Sequence, residues 1–153
     1  MNIKLAKTKL EEAEELLCIQ KKAFQSDLEK YQDYDSSPAT EKVERLMRKI
    51  ELFHHFTIWI NNEIVGGIDV RDLNNQHYRI NRIFLKTSLQ NKGLGSRIMN
   101  LIHQEFPEAE KWSLDTPKDN IRNHHFYEKC GYRVVGEHQI NNKLILLDYE
   151  MSV

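Results

Sequence analysis

Gly93 and Gly95 stand one residue apart in QNKGLGSR (90–97), after the apolar run IFL (83–85) and before a strongly periodic helix. A strand, a glycine turn and a helix in that order aim backbone N–H groups and a positive helix end at one anion. Lys92 and Arg97 can add charge at the rim, and Ser96 lies in the first helical turn. The Walker A pattern needs four residues between its glycines and then Lys-Ser/Thr, which fails here. The dinucleotide pattern needs a third glycine where Ile98 stands, and fails too. The pattern Gln/Arg-x-x-Gly-x-Gly/Ala is met in full by Gln90, Asn91, Lys92, Gly93, Leu94 and Gly95. Its anion is expected to be a pyrophosphate, although an ordinary glycine turn ahead of a helix has the same pattern.

Other reactive residue types read as packing. His124 and His125 are adjacent, as are His54 and His55, so neither pair has the spacing of three or four that a helical metal pair needs. No metal site is expected. Cys130 precedes Gly131 and reads as a small buried apolar residue. Cys18 and Cys130 lack a CxxC partner and are expected to be reduced thiols.

The elements around these residues follow from hydrophobic period. Ile3 and Leu5 alternate in a first strand. Leu10, Ala13, Leu16, Leu17, Gln20 and Phe24 share a helical face. SDLEKYQDYDSSPA (26–39) has no clear period, contains Pro38 and reads as a long loop, either fully irregular or with one turn of helix, a kind often functional in compact domains. Val43, Leu46, Met47, Ile50 and Phe53 mark a second helix, with Thr40 as its candidate N-cap. FTIWI (56–60) and IVGGIDV (64–70) form a hairpin across NNE. YRINRIFL (78–85) is the fourth strand, and the helix after the glycine turn carries Leu94, Ile98, Leu101, Ile102 and Phe106 on one face. KWSLDT (111–116) is a strand and 123–129 a helix stopped near Gly131. YRVVGEH (132–138) and KLILLDYEM (143–151) are the last strands. The order β-α-α-β-β-β-α-β-α-β-β excludes a plain ferredoxin-like repeat, and its single βαβ crossover excludes a full doubly wound fold.

The chain has 153 residues, which predicts one domain spanning 1–153. With 22 Lys+Arg against 23 Asp+Glu, bulk electrostatics argue against nucleic-acid binding. No apolar run reaches membrane-spanning length, and the N-terminus lacks a signal-peptide pattern. A cytoplasmic protein is expected.

The element order, the glycine motif and NIRNHHFYEKCGY (120–132) together resemble the GNAT superfamily of N-acetyltransferases. IFLKTSLQNKGLG is similar to the family's strand and pyrophosphate loop. Asn120, then Tyr127 followed by EKCGY, is similar to its N-x-x-A-x-x-x-Y-E-K-x-G-F/Y element. The two motifs cover a quarter to a third of the chain, while the element order fits nearly all of it. The resemblance implies an α/β (α+β) three-layer fold with a mixed, splayed sheet of about seven strands flanked by four helices. It implies direct transfer from acetyl-CoA, bound between the fourth and fifth strands, to a primary amine. Ile83, Phe84 and Leu85 would pair with the pantetheine arm, and the Leu85 backbone N–H would face the thioester oxygen. Tyr127 would be the general acid. Asn120 would bond the pantetheine arm, or cap the helix that follows it. The chain departs from the family on the fourth strand, where Arg79 and Asn81 stand and many members place a general-base glutamate. Asp115 matches an acidic position on the fifth strand used by some relatives; it is the base, a turn residue before Pro117, or unnecessary if bulk water takes the proton.

For the acceptor, the 26–39 loop and the NNQ turn (74–76) are the expected walls. Tyr31, Tyr34 and Asp35 suit a cationic amine, although a solvated acidic loop has the same composition. Acetyl-CoA, a small amine or peptide, and a second copy in a homodimer are the expected partners. Two other functions fit the motifs: an acyl-CoA-binding sensor without catalysis, and a nucleotide-binding regulator.

Overall fold

The computed structural model describes residues 2–153. Its strands are β1 (Ile3–Lys7), β2 (His54–Ile60), β3 (Glu63–Asp72), β4 (His77–Leu85), β5 (Lys111–Pro117), β6 (Arg133–Asn141) and β7 (Leu144–Ser152). Its helices are α1 (Ala13–Tyr31), α2 (Val43–Leu52), α3 (Leu94–Glu105) and α4 (Ile121–Lys129). The seven strands form one mixed sheet in the order β1-β2-β3-β4-β5-β7-β6. Among the described residues only β4 and β5 run parallel. They are joined by α3, as a parallel pair requires a crossover.

The two sheet faces carry separate cores. On one, Ala13, Leu16 and Ile19 of α1 and Leu46 and Ile50 of α2 pack on Ile64 and Phe84. On the other, Leu94, Ile98, Met99 and Ile102 of α3 meet Ile58, Ile68, Val70, Ile80 and Trp112, with Tyr127, Tyr132 and Tyr149 extending the layer. Each fully buried aliphatic side chain contributes about 1.5–3 kcal/mol by leaving water. This holds α1 and α2 against one face and α3 and α4 against the other.

Two local readings change. α1 continues through the first six residues of the supposed loop. Gln20, Leu28 and Tyr31 keep its buried face, which the polar sequence around them conceals. The helix stops at Gln32, which is left-handed (φ 53°) and donates its N–H to Leu28 O at 2.8 Å. Thr40 does not cap α2, whose N-cap position is Lys42. The Thr40 hydroxyl instead bonds the Tyr34 and Ser37 carbonyls, at 3.0 Å each. Pro38 opens a single 3-10 turn, capped by the Ser37 hydroxyl accepting from the Ala39 N–H.

β3 carries a glycine the site depends on. A Cβ at Gly66 would lie 2.1 Å from the Phe84 carbonyl oxygen, a backbone atom with nowhere to go. Gly66→Ala is expected to destabilise the protein by about 1–3 kcal/mol and to displace the end of β4. Urea unfolding reads the first effect, and a weakened thermal shift with coenzyme A reads the second.

Candidate active site

β4 and β5 pair only at His77–Lys111, Tyr78–Trp112 and Arg79–Ser113. Beyond that point they part. The parting follows a bulge: Asp69 opposes Arg82 and Val70 opposes Ile80, so Asn81 is the extra residue. Its side-chain amide donates to Asp69 Oδ2 at 3.0 Å, which fixes the bulge on buried Asp69. The gap opens into a cavity of about 420 Å³. Arg79, Ile83, Leu114, Asp115, Tyr127 and His138 are on its wall.

The last residues of β4 present their backbone by strict alternation. Lys86 N–H points at β3, bonding Val65 O at 2.8 Å. The neighbouring Leu85 N–H and C=O therefore point to the opposite edge, toward the gap. There the Gln90 side chain donates to Leu85 O at 3.2 Å. Gln90 thus ties the glycine turn to the strand end and leaves the N–H facing the gap. Phe84 differs from the expectation in one respect. Its side chain is buried in the α1–α2 core, and by the same alternation its N–H and C=O face β3, so Phe84 offers no group to this edge. Ile83 lines the cavity.

The glycine turn is shaped by Asn91 (φ 63°) and Gly93 (φ 75°), both left-handed. Asn91 Oδ1 accepts from Arg122 of α4 at 2.8 Å. Gly93 is the N-cap of α3, and no side chain caps the helix. Nothing lies within 4 Å of where its Cβ would be. The first N–H groups of α3 therefore face open space with the positive helix end behind them. Gly95 serves a different purpose from the one the motif suggests: its Cβ would lie 2.9 Å from the Phe126 ring, so its lack of a side chain lets α3 approach α4. Lys92 is exposed, and Leu94 is buried beneath the turn.

Tyr127 sits on α4 against Phe126, Tyr132 and Tyr149, at ring separations of 5.2, 6.0 and 6.0 Å. Burial, then the nearby Cys130 and Asp115, pushes its phenol above the ordinary range, so it stays a proton donor. Burial likewise raises the Cys130 thiol, which suits packing rather than nucleophilic attack. Asp115 faces the cavity, with Oδ2 held by Arg79 Nη2 at 2.7 Å. His124 is structural, bonding Pro117 O at 3.0 Å. His55 is buried against Thr8, and burial pushes it down to about 4.

On the far wall, the Tyr31 hydroxyl is bonded to Asp119 and its ring lines the cavity together with Asp27 and Asp33. Tyr34 and Asp35 line a neighbouring hollow over α2 instead. The NNQ turn is not a wall. It lies at the paired end of β4 and β5, where Gln76 O accepts from Glu110 and Lys111.

A model of the acetyltransferase (GNAT) family matches residues 13–132. The chain belongs to this family. No curated protein sequence matches it. Among solved structures, a spermidine N-acetyltransferase SpeG chimera from Vibrio cholerae and hSSAT superposes with a TM-score of 0.79 at 14% identity, covering 99% of this chain and 96% of that one. PaiA N-acetyltransferase from Thermoplasma acidophilum, solved with coenzyme A, gives 0.75 at 17% identity over 100% of both chains. A ribosomal-protein alanine N-acetyltransferase from Escherichia coli gives 0.79 at 11% identity, over 99% and 94%.

This GNAT acetyltransferase draws its acetyl group from acetyl-CoA. Its own features fit that molecule: an uncapped helix start suits a pyrophosphate, and the unpaired β4 edge suits an amide-bearing arm. Asn120 is a working N-cap, its Oδ1 accepting from the Asn123 N–H at 3.1 Å. Asn120→Ala should therefore cost about 1 kcal/mol of stability, seen as a lower Tm. A raised KM for acetyl-CoA at unchanged Tm would assign it to the pantetheine arm instead. The motifs did not point to Arg79 as a partner of Asp115, nor to His138 and Asp148. All lie outside the two matched segments, and only sheet pairing brings them together.

Proposed function

We propose that the GNAT acetyltransferase acetylates a primary amine, of a small molecule or a peptide, inside the cavity where β4 and β5 part. The observation that carries this reading is Tyr127: a buried, protonated phenol on the wall of that cavity. Acetyl-CoA supplies an activated acyl group with a sulfur leaving group. The N–H groups of Gly93, Leu94, Gly95 and Ser96 hold the pyrophosphate, with Lys92 and Arg97 at its rim. Asn91 and Gln90 keep the turn in shape through Arg122 and Leu85 O. The backbone of Ile83 and Leu85 takes the pantetheine arm, and the Leu85 N–H stabilises charge on the acyl oxygen. Tyr127 delivers a proton to the departing sulfur.

The acceptor enters past Tyr31, Asp27 and Asp33, whose carboxylates favour a cation. Tyr34 and Asp35 extend that approach toward α2. The named activities of the similar structures bracket spermidine and an alanine of a ribosomal protein without choosing between them. Asp115, a carboxylate on the cavity wall, can take up the acceptor ammonium, although Arg79 competes for one of its oxygens. A homodimer is consistent with edge strand β6, which exposes Val134, Val135 and Ile140. Unpaired Cys18 and Cys130 favour a reducing cytoplasm. Among the described residues no helix is long and apolar enough to cross a membrane.

The test is a panel of polyamines, amino sugars, amino acids and peptides incubated with acetyl-CoA, following free thiol. At least one class should release thiol in step with acetylated amine. Silence across the panel with coenzyme A binding intact would leave a non-catalytic acyl-CoA sensor. A larger thermal shift with ATP than with coenzyme A would leave a nucleotide-binding regulator.

A further inference from the structure

His138 and Asp148 form a side-chain pair on the cavity wall that no motif announces. His138 Nδ1 lies 3.1 Å from Asp148 Oδ1 and 3.2 Å from Oδ2. Its Nε2 lies 4.0 Å from Asp115 Oδ2, whose other neighbour is Arg79 at 2.7 Å. A bulge sets this up. Val134 opposes Tyr149 and Gly136 opposes Asp148, so Val135 is the extra residue on β6. Without it, His138 would oppose Ile145 and fall on the other face of the sheet. With it, His138 opposes Leu146 and joins Asp115, Leu144 and Leu146 on the cavity side. Asp115 and Asp148 are themselves direct cross-strand partners, a repulsive placement for two carboxylates. Arg79 and His138 each occupy one of them.

We propose, on the acetyltransferase reading above, that His138 oriented by Asp148 removes the proton from the acceptor ammonium, while Asp115 holds that ammonium in place. When Nδ1 donates its hydrogen to Asp148, the Nε2 lone pair faces Asp115. The 4.0 Å gap is too long for a direct hydrogen bond. A nitrogen about 2.9 Å from both atoms closes the triangle. One N–H of an ammonium then meets Nε2 and another meets the carboxylate. The charged groups facing the ring are Asp148 on β7, Asp115 on β5 with Arg79 behind it on β4, and, across the cavity, Asp27, Asp33 and Arg82. Lys118 and Glu137 pair with each other beside it.

The protons balance. The ammonium gives one proton to Nε2 and becomes a nucleophile. The new C–N bond forms as the C–S bond breaks. The nitrogen sheds its second proton as it becomes an amide, which replaces the proton Tyr127 gives to sulfur. The first proton leaves His138 for solvent.

The test compares wild type, His138→Ala, His138→Gln and Asp148→Asn on two acceptors: a basic alkyl amine, and an aryl or alkoxy amine already neutral at assay pH. Both His138 variants should lose about 100-fold or more in kcat/KM on the alkyl amine, with little change on the neutral one. They should keep the Tm and the thermal shift with coenzyme A. Free imidazole should restore part of the activity of His138→Ala, and Asp148→Asn should show a smaller loss of the same pattern. In wild type with coenzyme A bound, the acceptor should shift the His138 imidazole NMR signal. Full activity of the His138 variants, equal losses on both amines, or an unmoved imidazole signal would overturn this proposal alone. Wild-type inactivity on every amine would overturn the acetyltransferase reading and this with it.

Discussion

Tyr127→Phe should bind coenzyme A as tightly as wild type and turn over about 100-fold more slowly. The ring packs among Phe126, Tyr132 and Tyr149, and phenylalanine keeps those contacts. Only the hydroxyl is removed, so Tm should hold. What disappears is the proton donor at the cavity wall. The loss should fall on kcat rather than KM, because the proton is needed as sulfur departs and not while substrate binds. Burial also predicts a pH signature in wild type. An ordinary phenol ionises near pH 10, but this one is raised well beyond that by desolvation. Tyr127 should therefore impose no fall in kcat through pH 10. Steady-state kinetics across pH check both points, and an unchanged kcat in the variant would remove Tyr127 from its role.

Glu41→Gln should destabilise the fold by about 3–5 kcal/mol, the loss typical of removing one partner from a buried ion pair. Glu41 is buried just ahead of α2, bonded to Lys49 and, at 3.0 Å each, to Arg82 of β4 and Gln20 of α1. Taking away its charge leaves the like charges of buried Lys49 and partly buried Arg82 without their shared counter-ion. Burial by itself would raise the Glu41 carboxyl. The bonds from Gln20 and Lys49 and the charge of Arg82 outweigh it and hold the carboxyl below its usual range. The sign follows: the contribution is present above the unfolded-state pKa and is lost as pH falls through the lower folded-state value. Wild type should therefore lose stability in acid more steeply than Glu41→Gln, which urea unfolding at several pH values reads out. Arg82 sits next to Ile83, so the variant should also loosen the strand that lines the cavity.

The element order was legible because the hydrophobic period changes sharply between Phe24 and Val43 and again at Gly93. The last two turns of α1 were not. Leu28 and Tyr31 continue its buried face, but the acidic and polar residues among them read as loop. The glycine motif was legible as an anion site, yet it assigned both glycines one purpose. Gly93 has open space before it, whereas Gly95 makes room for Phe126, a residue far along the chain. Asn120 carried two readings, and the bond to the Asn123 N–H shows it capping α4. The base side was hidden for a different reason. Arg79, Asp115, His138 and Asp148 lie on four strands, and a bulge at Val135 decides which way His138 points. No local pattern in β6, exposed along nearly its whole length, signals that bulge.

A structure of the protein with coenzyme A and an acceptor amine bound would show whether the gap between β4 and β5 is where acetyl transfer takes place. The pyrophosphate should lie on the N–H groups of Gly93 to Ser96, the sulfur beside the Tyr127 hydroxyl, and the amine between Asp115 and His138. A cofactor held anywhere but the gap between β4 and β5, or a sulfur out of reach of Tyr127, would contradict this placement.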